Sequence, residues 1–335
     1  MSIDLPVVWG GIIAFGVFVY VLLDGFDLGI GLLFPFFDRE GERQVMLNSV
    51  APVWDGNETW LVLGGASLYA VFPVAYAVLL PATYLPVIGM LCGLIFRGVA
   101  FEIRAKARRS QRLWDLAFML GSALAIVCQG LILGSLLQGI PVAGGFFAGG
   151  GFDWLSPFGL LAALGLLVTY ATLACGWLIL KTDGELQRRM YVAMKPLSWA
   201  LLAMIAAVSI WTVVGQPAVA HRWFALPNLF FFSPVPLLVI ACVLGIQRAL
   251  RLRRDRQPFL LTAAILFLGY TGLIISIFPH LVPPSLDVWS ASAPRSSQAF
   301  TLVGAAIIIP IILTYTAASY WVFRGKVRHD DPGYH

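Results

Sequence analysis

The chain has 335 residues, 59% of them hydrophobic and only 12% charged, with a mean hydropathy of +0.86 and a formal net charge of +5. A soluble domain carries about 25% charged residues, so the composition excludes a soluble enzyme and marks a polytopic membrane protein with no room for a separate soluble domain. No basic run interleaves with aromatics as a nucleic-acid groove requires; the excess of Lys and Arg belongs to loops.

Residues Met1 to Pro6 lack a basic region, and the first apolar run has no small-residue cleavage site, so no signal peptide is expected. A span needs about 20 mostly apolar residues. Nine such runs are predicted, near 7–34, 57–75, 77–101, 115–137, 157–180, 196–215, 229–248, 258–279 and 299–323. The fold class is therefore an all-α integral membrane protein with nine transmembrane helices, read as a single membrane domain over residues 1–335. Only Pro73 and its neighbours separate the second span from the third. Gly25 and Gly29 permit close helix contact in the first span, and Pro86 and Pro310 are placed to kink their helices. Trp9, Trp114, Trp154, Trp199, Trp223 and Trp321 lie where interfacial belts form. The loop 138–156, with Gly144, Gly145, Gly149, Gly150 and Gly151, reads as a flexible connector.

The loops set the orientation. Arg104, Lys106, Arg108, Arg109 and Arg112 follow the third span, and Lys181, Arg188, Arg189 and Lys195 follow the fifth. Arg248, Arg251, Arg253, Arg254 and Arg256 follow the seventh, and Arg324, Lys326 and Arg328 follow the last. The intervening loops are nearly free of basic residues. The positive-inside rule then places the C-terminus in the cytoplasm and the N-terminus outside, which requires an odd number of spans.

Against this frame the acidic residues are unevenly placed. Asp24, Asp27, Asp55, Glu58 and Glu102 lie in or at the ends of spans, all within the first 102 residues, with Arg97 among them. An aspartate at the centre of a spanning helix costs about 2.5–3.5 kcal/mol on the insertion scale, so such residues are rare and usually functional. Asp24 lies roughly 25 Å along the first helix, in the inner half of the membrane, and shares a helix face with Asp27 three residues on. The glycines of LDGFDLGIG let a helix or water approach that face. Asp55 and Glu58 begin the second span, and Arg97 and Glu102 end the third, so all six groups face the cytoplasmic side. Arg97 and Glu102 point in different directions around their helix, and Arg97 is expected to offset an aspartate of the first span. Neighbouring carboxylates in a low-dielectric site share protons, and a ladder of them from the inner surface is what a proton path requires. Structural roles also suit these residues. Asp55-Gly56-Asn57-Glu58 has the form of a capping box with Asp55 as N-cap; Asp24 and Asp27 suit interhelical hydrogen bonding; Glu102 suits a surface charge; Arg97 suits snorkelling to the inner interface.

The cysteines, Cys92, Cys128, Cys175 and Cys242, are isolated in apolar segments, without CxxC or zinc-ligand spacing. The histidines, His221, His280, His329 and His335, lie at the C-terminus or near outer loops. With no mid-span histidine, neither haem nor metal ligation is expected from this chain.

The strings LLDGFDLGIG, NSVAPVWDGNETWLV, FRGVAFE and IPIILTYTAASYWVFRGK closely resemble subunit II of the cytochrome bd family of quinol oxidases, and WDGNETW looks most like its cyanide-insensitive branch. The resemblance runs the length of the chain. It implies two four-helix bundles, about 1–140 and 157–280, plus a peripheral last helix, 299–323. It implies a heterodimer with a larger subunit I that carries the haem b and haem d groups, while subunit II binds none directly. The complex oxidises quinol and reduces dioxygen to water in the bacterial cytoplasmic (inner) membrane, taking protons from the cytoplasm. The resemblance admits a small single-span accessory subunit and a structural quinone, for which no residues are assigned. By motif match Asp24, Asp27 and Asp55 line the proton route, with Trp54 and Asn57 in support; Glu58 stands where some relatives carry Gln. A proton-coupled secondary transporter is the alternative from another class, but transporters show matching broken segments in two halves, and here the acids occupy the first third alone. A purely structural subunit is the other.

Overall fold

The computed structural model describes residues 3–37, 40–104, 106–107 and 109–328. Of the residues named above, Arg108, His329 and His335 lie outside the described residues. Helix α1 (Leu5–Leu33) starts where the Asp4 side chain accepts from Val7 N at 3.4 Å, with Pro6 in the first turn, a position that proline favours. It ends in a short 3-10 turn, Phe34–Phe36, around Pro35. A nine-residue helix, α2 (Glu40–Asn48), leads to α3 (Trp54–Val71).

Prolines divide the next apolar stretch. Helix α4 (Pro73–Ala82) begins on Pro73, and α5 (Tyr84–Arg104) restarts after Thr83, whose Oγ1 donates to Leu79 O at 2.7 Å. The third expected span is thus two helices, because Pro86 has no N–H to offer the carbonyl of Ala82. The second expected span stops at Val71 rather than 75, for Pro73 starts a new helix.

Further along lie α6 (Gln111–Gln138), α7 (Pro157–Lys181), α8 (Gly184–Gly215), α9 (Pro217–Phe224), α10 (Asn228–Phe232), α11 (Pro234–Arg251), α12 (Gln257–Ile277) and α13 (Arg295–Val322). The loop expected to be a flexible connector instead holds a small hairpin, β1 (Val142–Ala143) with β2 (Phe146–Phe147). Gly144 and Gly145, at φ +58° and +81°, make its turn, the left-handed pair that a tight hairpin needs. A second hairpin joins β3 (His280–Val282) to β4 (Leu286–Asp287). Helix α8 begins 12 residues before the span predicted at 196. Its first turns bury Leu186, Met190, Tyr191 and Met194 but carry Glu185 and Arg188 outward, and those charges hide it from a hydropathy count.

Among the described residues eight helices are long and apolar enough to cross a membrane. The expected second span, α3, is not one of them. It has 18 residues, about 27 Å of helix, but Asp55, Asn57 and Glu58 make its start polar.

Helix α1 packs against α3, α6, α7 and α12. Small residues set these distances, as packing within a membrane favours. A Cβ on Gly29 would lie 2.0 Å from Tyr170 O of α7. Gly93 of α5 and Gly121 of α6 face each other, and a Cβ on either would lie 2.6 Å from the other's carbonyl oxygen. Phe26 stacks on Trp177 with ring centroids 4.3 Å apart.

One end of the bundle gathers the basic loops. The chain after α13 lies against α7 and the α11–α12 loop: Val327 N donates to Lys181 O at 2.7 Å, Lys326 Nζ to Asp255 Oδ2 at 2.7 Å, and Arg328 Nε to Asp183 Oδ2 at 3.1 Å. Burial works to raise the Asp255 carboxyl, but hydrogen bonds from Lys326, Tyr191 and Gln187 outweigh it and hold the group below the usual carboxylate range.

Two outcomes follow from this packing. Gly29→Ala should lower the yield and melting temperature of the purified protein, at an overpacking cost of about 1–3 kcal/mol, whereas Gly11→Ala, with nothing within 4 Å of its Cβ, should be neutral. Asp255→Asn should quicken amide exchange in residues 324–327 at neutral pH. The parent's extra protection is complete above about pH 4 and fades as pH falls through the lowered Asp255 value; exposure of the pair keeps it under about 1 kcal/mol.

Candidate functional site

The polar core of the molecule sits where α1, α3, α5 and α13 meet. Helix α1 supplies Asp24 and Asp27, 0% and 2% exposed, and α5 supplies Arg97, 2% exposed. Arg97 lies on the inner face of α5, and its guanidinium forks. Nη1 donates to Asp24 Oδ1 at 2.7 Å, and Nη2 donates to Glu58 Oε1. Helix α3 contributes Glu58 and, one residue before it, the buried Asn57. Asn57 Nδ2 donates to Asp27 Oδ2 at 2.7 Å, and its Oδ1 accepts from the Tyr320 hydroxyl of α13 at 3.0 Å. The Trp54 ring lies 5.8 Å from the Arg97 guanidinium carbon.

Three carboxyl groups surround one guanidinium, which bonds two of them, Asp24 and Glu58. Asp24 Oδ2, Asp27 Oδ1 and Arg97 Nε are buried without a hydrogen-bond partner. A small cavity lined by Asp27, Val50, Trp54, Arg97, Phe101 and Phe118 adjoins them, with room for about one water molecule. Buried polar atoms of this kind are ordinarily satisfied by ordered water, and a carboxyl–water–guanidinium contact is a place where a proton can be held and handed on.

The structure brings together Asp24, Asp27, Glu58 and Arg97, with Asn57 and Trp54 beside them. Arg97 turns inward to Asp24 and Glu58 rather than snorkelling, and it does not pair with Glu102. Asp55 and Glu102 are exposed on the surface of this chain. Asp55 is near enough to act electrostatically on Glu58. The capping-box reading is corrected: Val53 is the N-cap of α3, without a side-chain cap bond, and Asp55 lies in the first turn. The cause is local: Trp54 N and Asn57 N donate to Val50 O and Val53 O, so the helical turn has begun before Asp55 is reached. The glycine-lined face of α1 receives α7 at Gly25 and Gly29 and α6 at Gly31. Among the described residues no three His, Cys, Asp or Glu side chains gather as metal ligands.

Sequence reading missed four polar aromatic or amide residues of this region: Tyr20, Gln129, Tyr170 and Tyr320. An aromatic near a helix end reads as interfacial, and a lone tyrosine in an apolar run has no periodic signal. A second polar cluster was also missed. Asp115, at the start of α6, accepts from Arg43 Nη1 at 2.8 Å and from Arg104 Nε, while Arg104 Nη1 donates to Gln44 Oε1 at 3.0 Å. Its signal was an acid opening a span directly after a basic loop.

Comparison with known proteins agrees with this architecture. The family model described as cytochrome bd terminal oxidase subunit II matches residues 5–323. Cytochrome bd-I ubiquinol oxidase subunit 2 of Escherichia coli K12 is 29% identical over 364 residues, covering 98% of this chain and 96% of that protein. Cytochrome bd ubiquinol oxidase subunit 2 of Bacillus subtilis 168 is 28% identical, covering 93% and 94%. A chain in the structure of bd oxidase from Geobacillus thermodenitrificans superposes with a TM-score of 0.76 at 14% identity, covering 96% of this chain and 99% of that one. With a family model matching nearly its whole length and relatives covered end to end, the chain belongs to the cytochrome bd terminal oxidase subunit II family.

Proposed function

We propose that this chain is the haem-free subunit of a quinol:oxygen oxidoreductase in the bacterial inner membrane, and that its buried acid cluster delivers protons to a larger, haem-bearing subunit I. The observation that carries the reading is the sharing of Arg97 between Asp24 and Glu58, with Asp27 alongside. Reduction of one dioxygen to two waters consumes four electrons and four protons, and subunit I, through its haems, would supply that chemistry. No residue of this chain is assigned to haem or quinone. What this chain contributes is a graded entry. Asp55 is exposed, Glu58 is 27% exposed at its side chain, and Asp24 is fully buried. A proton taken up at the surface by Asp55 or Glu58 passes to the Asp24–Asp27 pair as Arg97 moves its hydrogen bonds between partners. Arg97 stays protonated throughout, so it tunes the acids without carrying the proton itself.

The orientation that serves this role has the N-terminus outside and the C-terminus in the cytoplasm, with α3, 18 residues long, crossing as a ninth span beside the eight apolar helices. Gathering of the basic loops at one end, around Asp255, Asp183 and Glu42, supports it through the positive-inside rule. We also divide the chain into two four-helix bundles with α13 peripheral. The most apolar stretch of α13 buries none of its residues within this chain, which supports a helix at the edge that faces lipid or subunit I.

Asp24→Asn, Glu58→Gln and Asp55→Asn should each lower quinol-oxidase turnover by about tenfold or more, while the complex assembles with normal haem content by absorbance. Full turnover in Asp24→Asn and Glu58→Gln together would remove the proton role. Arg97→Gln leaves buried carboxyl groups without their cation, at a cost of about 3–5 kcal/mol, so assembled complex should fall sharply. The double variant Arg97→Gln/Asp24→Asn should recover part of that yield, since it removes both members of the buried pair.

A further inference from the structure

A polar arm extends from Asp24 away from Glu58, into the α1–α6–α7 packing. Tyr20 lies one helical turn before Asp24 on α1, at the i, i+4 spacing that puts both side chains on one face of the helix. Tyr20 is 4% exposed and Tyr170 of α7 is fully buried. Gln129 of α6 joins them: the Tyr170 hydroxyl donates to Gln129 Oε1 at 2.8 Å, and Gln129 Nε2 donates to the Tyr20 hydroxyl oxygen at 2.8 Å. The arm has a built seat, because a Cβ on Gly25 would lie 2.8 Å from the Tyr170 ring. Only a glycine beside Asp24 lets that ring lie across α1.

The hydrogens in this arm run one way. Tyr170 gives its hydrogen to Gln129, and Gln129 gives one to Tyr20, so the Tyr20 hydrogen remains for another acceptor. Asp24 Oδ2 is buried and has no partner. A carboxylate can only accept, so both ends of the arm impose the same direction. The groups close to Asp24 on the surrounding helices are Asp27 and Tyr20 of α1, Glu58 of α3, Arg97 of α5, Tyr170 of α7 and Tyr320 of α13. Arg97 holds Oδ1, which leaves Oδ2 to be aimed by something else.

We propose that Tyr20, braced by Gln129 and Tyr170, is a positioning residue that donates to Asp24 Oδ2 and sets the orientation of this carboxyl group for proton exchange. The arm orients without conducting. The Gln129 amide is not an acid that can release and recapture a proton in this pH range, so a proton on Asp24 does not travel outward through it. The functional part of this inference rests on the proton-delivery reading above; the hydrogen bond itself does not.

The test uses the intact oxidase complex. Tyr20→Phe removes one oxygen and keeps the ring, and turnover should fall about tenfold, the weight of one hydrogen bond to a charged group, with haem content unchanged. Gln129→Leu should act in the same direction. In an Asp24→Asn background Tyr20→Phe should add nothing, because the two residues act as one unit. Infrared difference spectra provide the separate reading. The band assigned to Asp24, by its disappearance in Asp24→Asn, should shift in Tyr20→Phe. An unmoved band, or a Tyr20→Phe loss that multiplies fully onto Asp24→Asn, would overturn the positioning role. Full turnover in Asp24→Asn with a shifted band would overturn proton delivery through Asp24, while the Tyr20 bond would stand.

Discussion

One guanidinium among three carboxyl groups, inside a bundle built for lipid, is the constraint that organises this molecule. Moving an ion of this size out of water costs several kcal/mol even after relaxation, and the attraction between partners offsets it only with good geometry on both sides. Arg97 therefore needs α1, α3 and α5 held in one register. The approach of the helices provides it. Gly29 admits the backbone of α7, and Gly93 against Gly121 brings α5 onto α6. Asn57 then links Asp27 to α13 through Tyr320, so a peripheral helix with little apolar burial is pinned by a polar contact at the site. The same interactions that hold the cluster's charges in place also fix the bundle around it.

The place of Asp24 and Asp27 well inside the first apolar helix was legible because hydropathy marks where a span begins and an α-helix rises a fixed distance per residue. That Arg97 would offset one of them was legible from charge balance, and the structure pairs it with Asp24; its divergence from Glu102 was legible from the angle between the two positions around the helix. The elements read poorly were those where polar residues enter a helix. Residues 184–195 are helical in α8, yet Glu185, Arg188 and Arg189 mask the buried row of Leu186, Met190 and Met194. Helix α3 was read as an ordinary span, though Asp55, Asn57 and Glu58 make it the least apolar of the expected spans. Capping was misread at Asp55 because the motif was present while the helix had already begun one turn earlier, with Val53 as its N-cap. The Tyr320–Asn57 contact joins residues 263 positions apart, and no local pattern announces a pairing of that range.

The second cluster clarifies what distinguishes a site from a clasp. Around Asp115, both carboxylate oxygens already hold a guanidinium, one from Arg43 and one from Arg104, and both guanidinium groups lie 5.6 Å from the Phe34 ring. This arrangement ties α2, α5 and α6 together where the chain leaves the membrane. Arginine does not give up its proton in a protein, so the contact is rigid and has nothing to exchange.

Around Asp24 and Asp27 the arithmetic differs. One arginine serves Asp24 and Glu58, Asp27 is held only by an amide, and each aspartate keeps an oxygen free of partners. A buried carboxylate oxygen that nothing uses is expensive, and Asn or Ser would serve packing alone at less cost. The cavity beside Asp27, with room for about one water, and the step from buried Asp24 to partly exposed Glu58 fit the proposed proton entry. The clasp and the proposed exchange site use the same two residue types, and they differ in the number of arginines per carboxyl group.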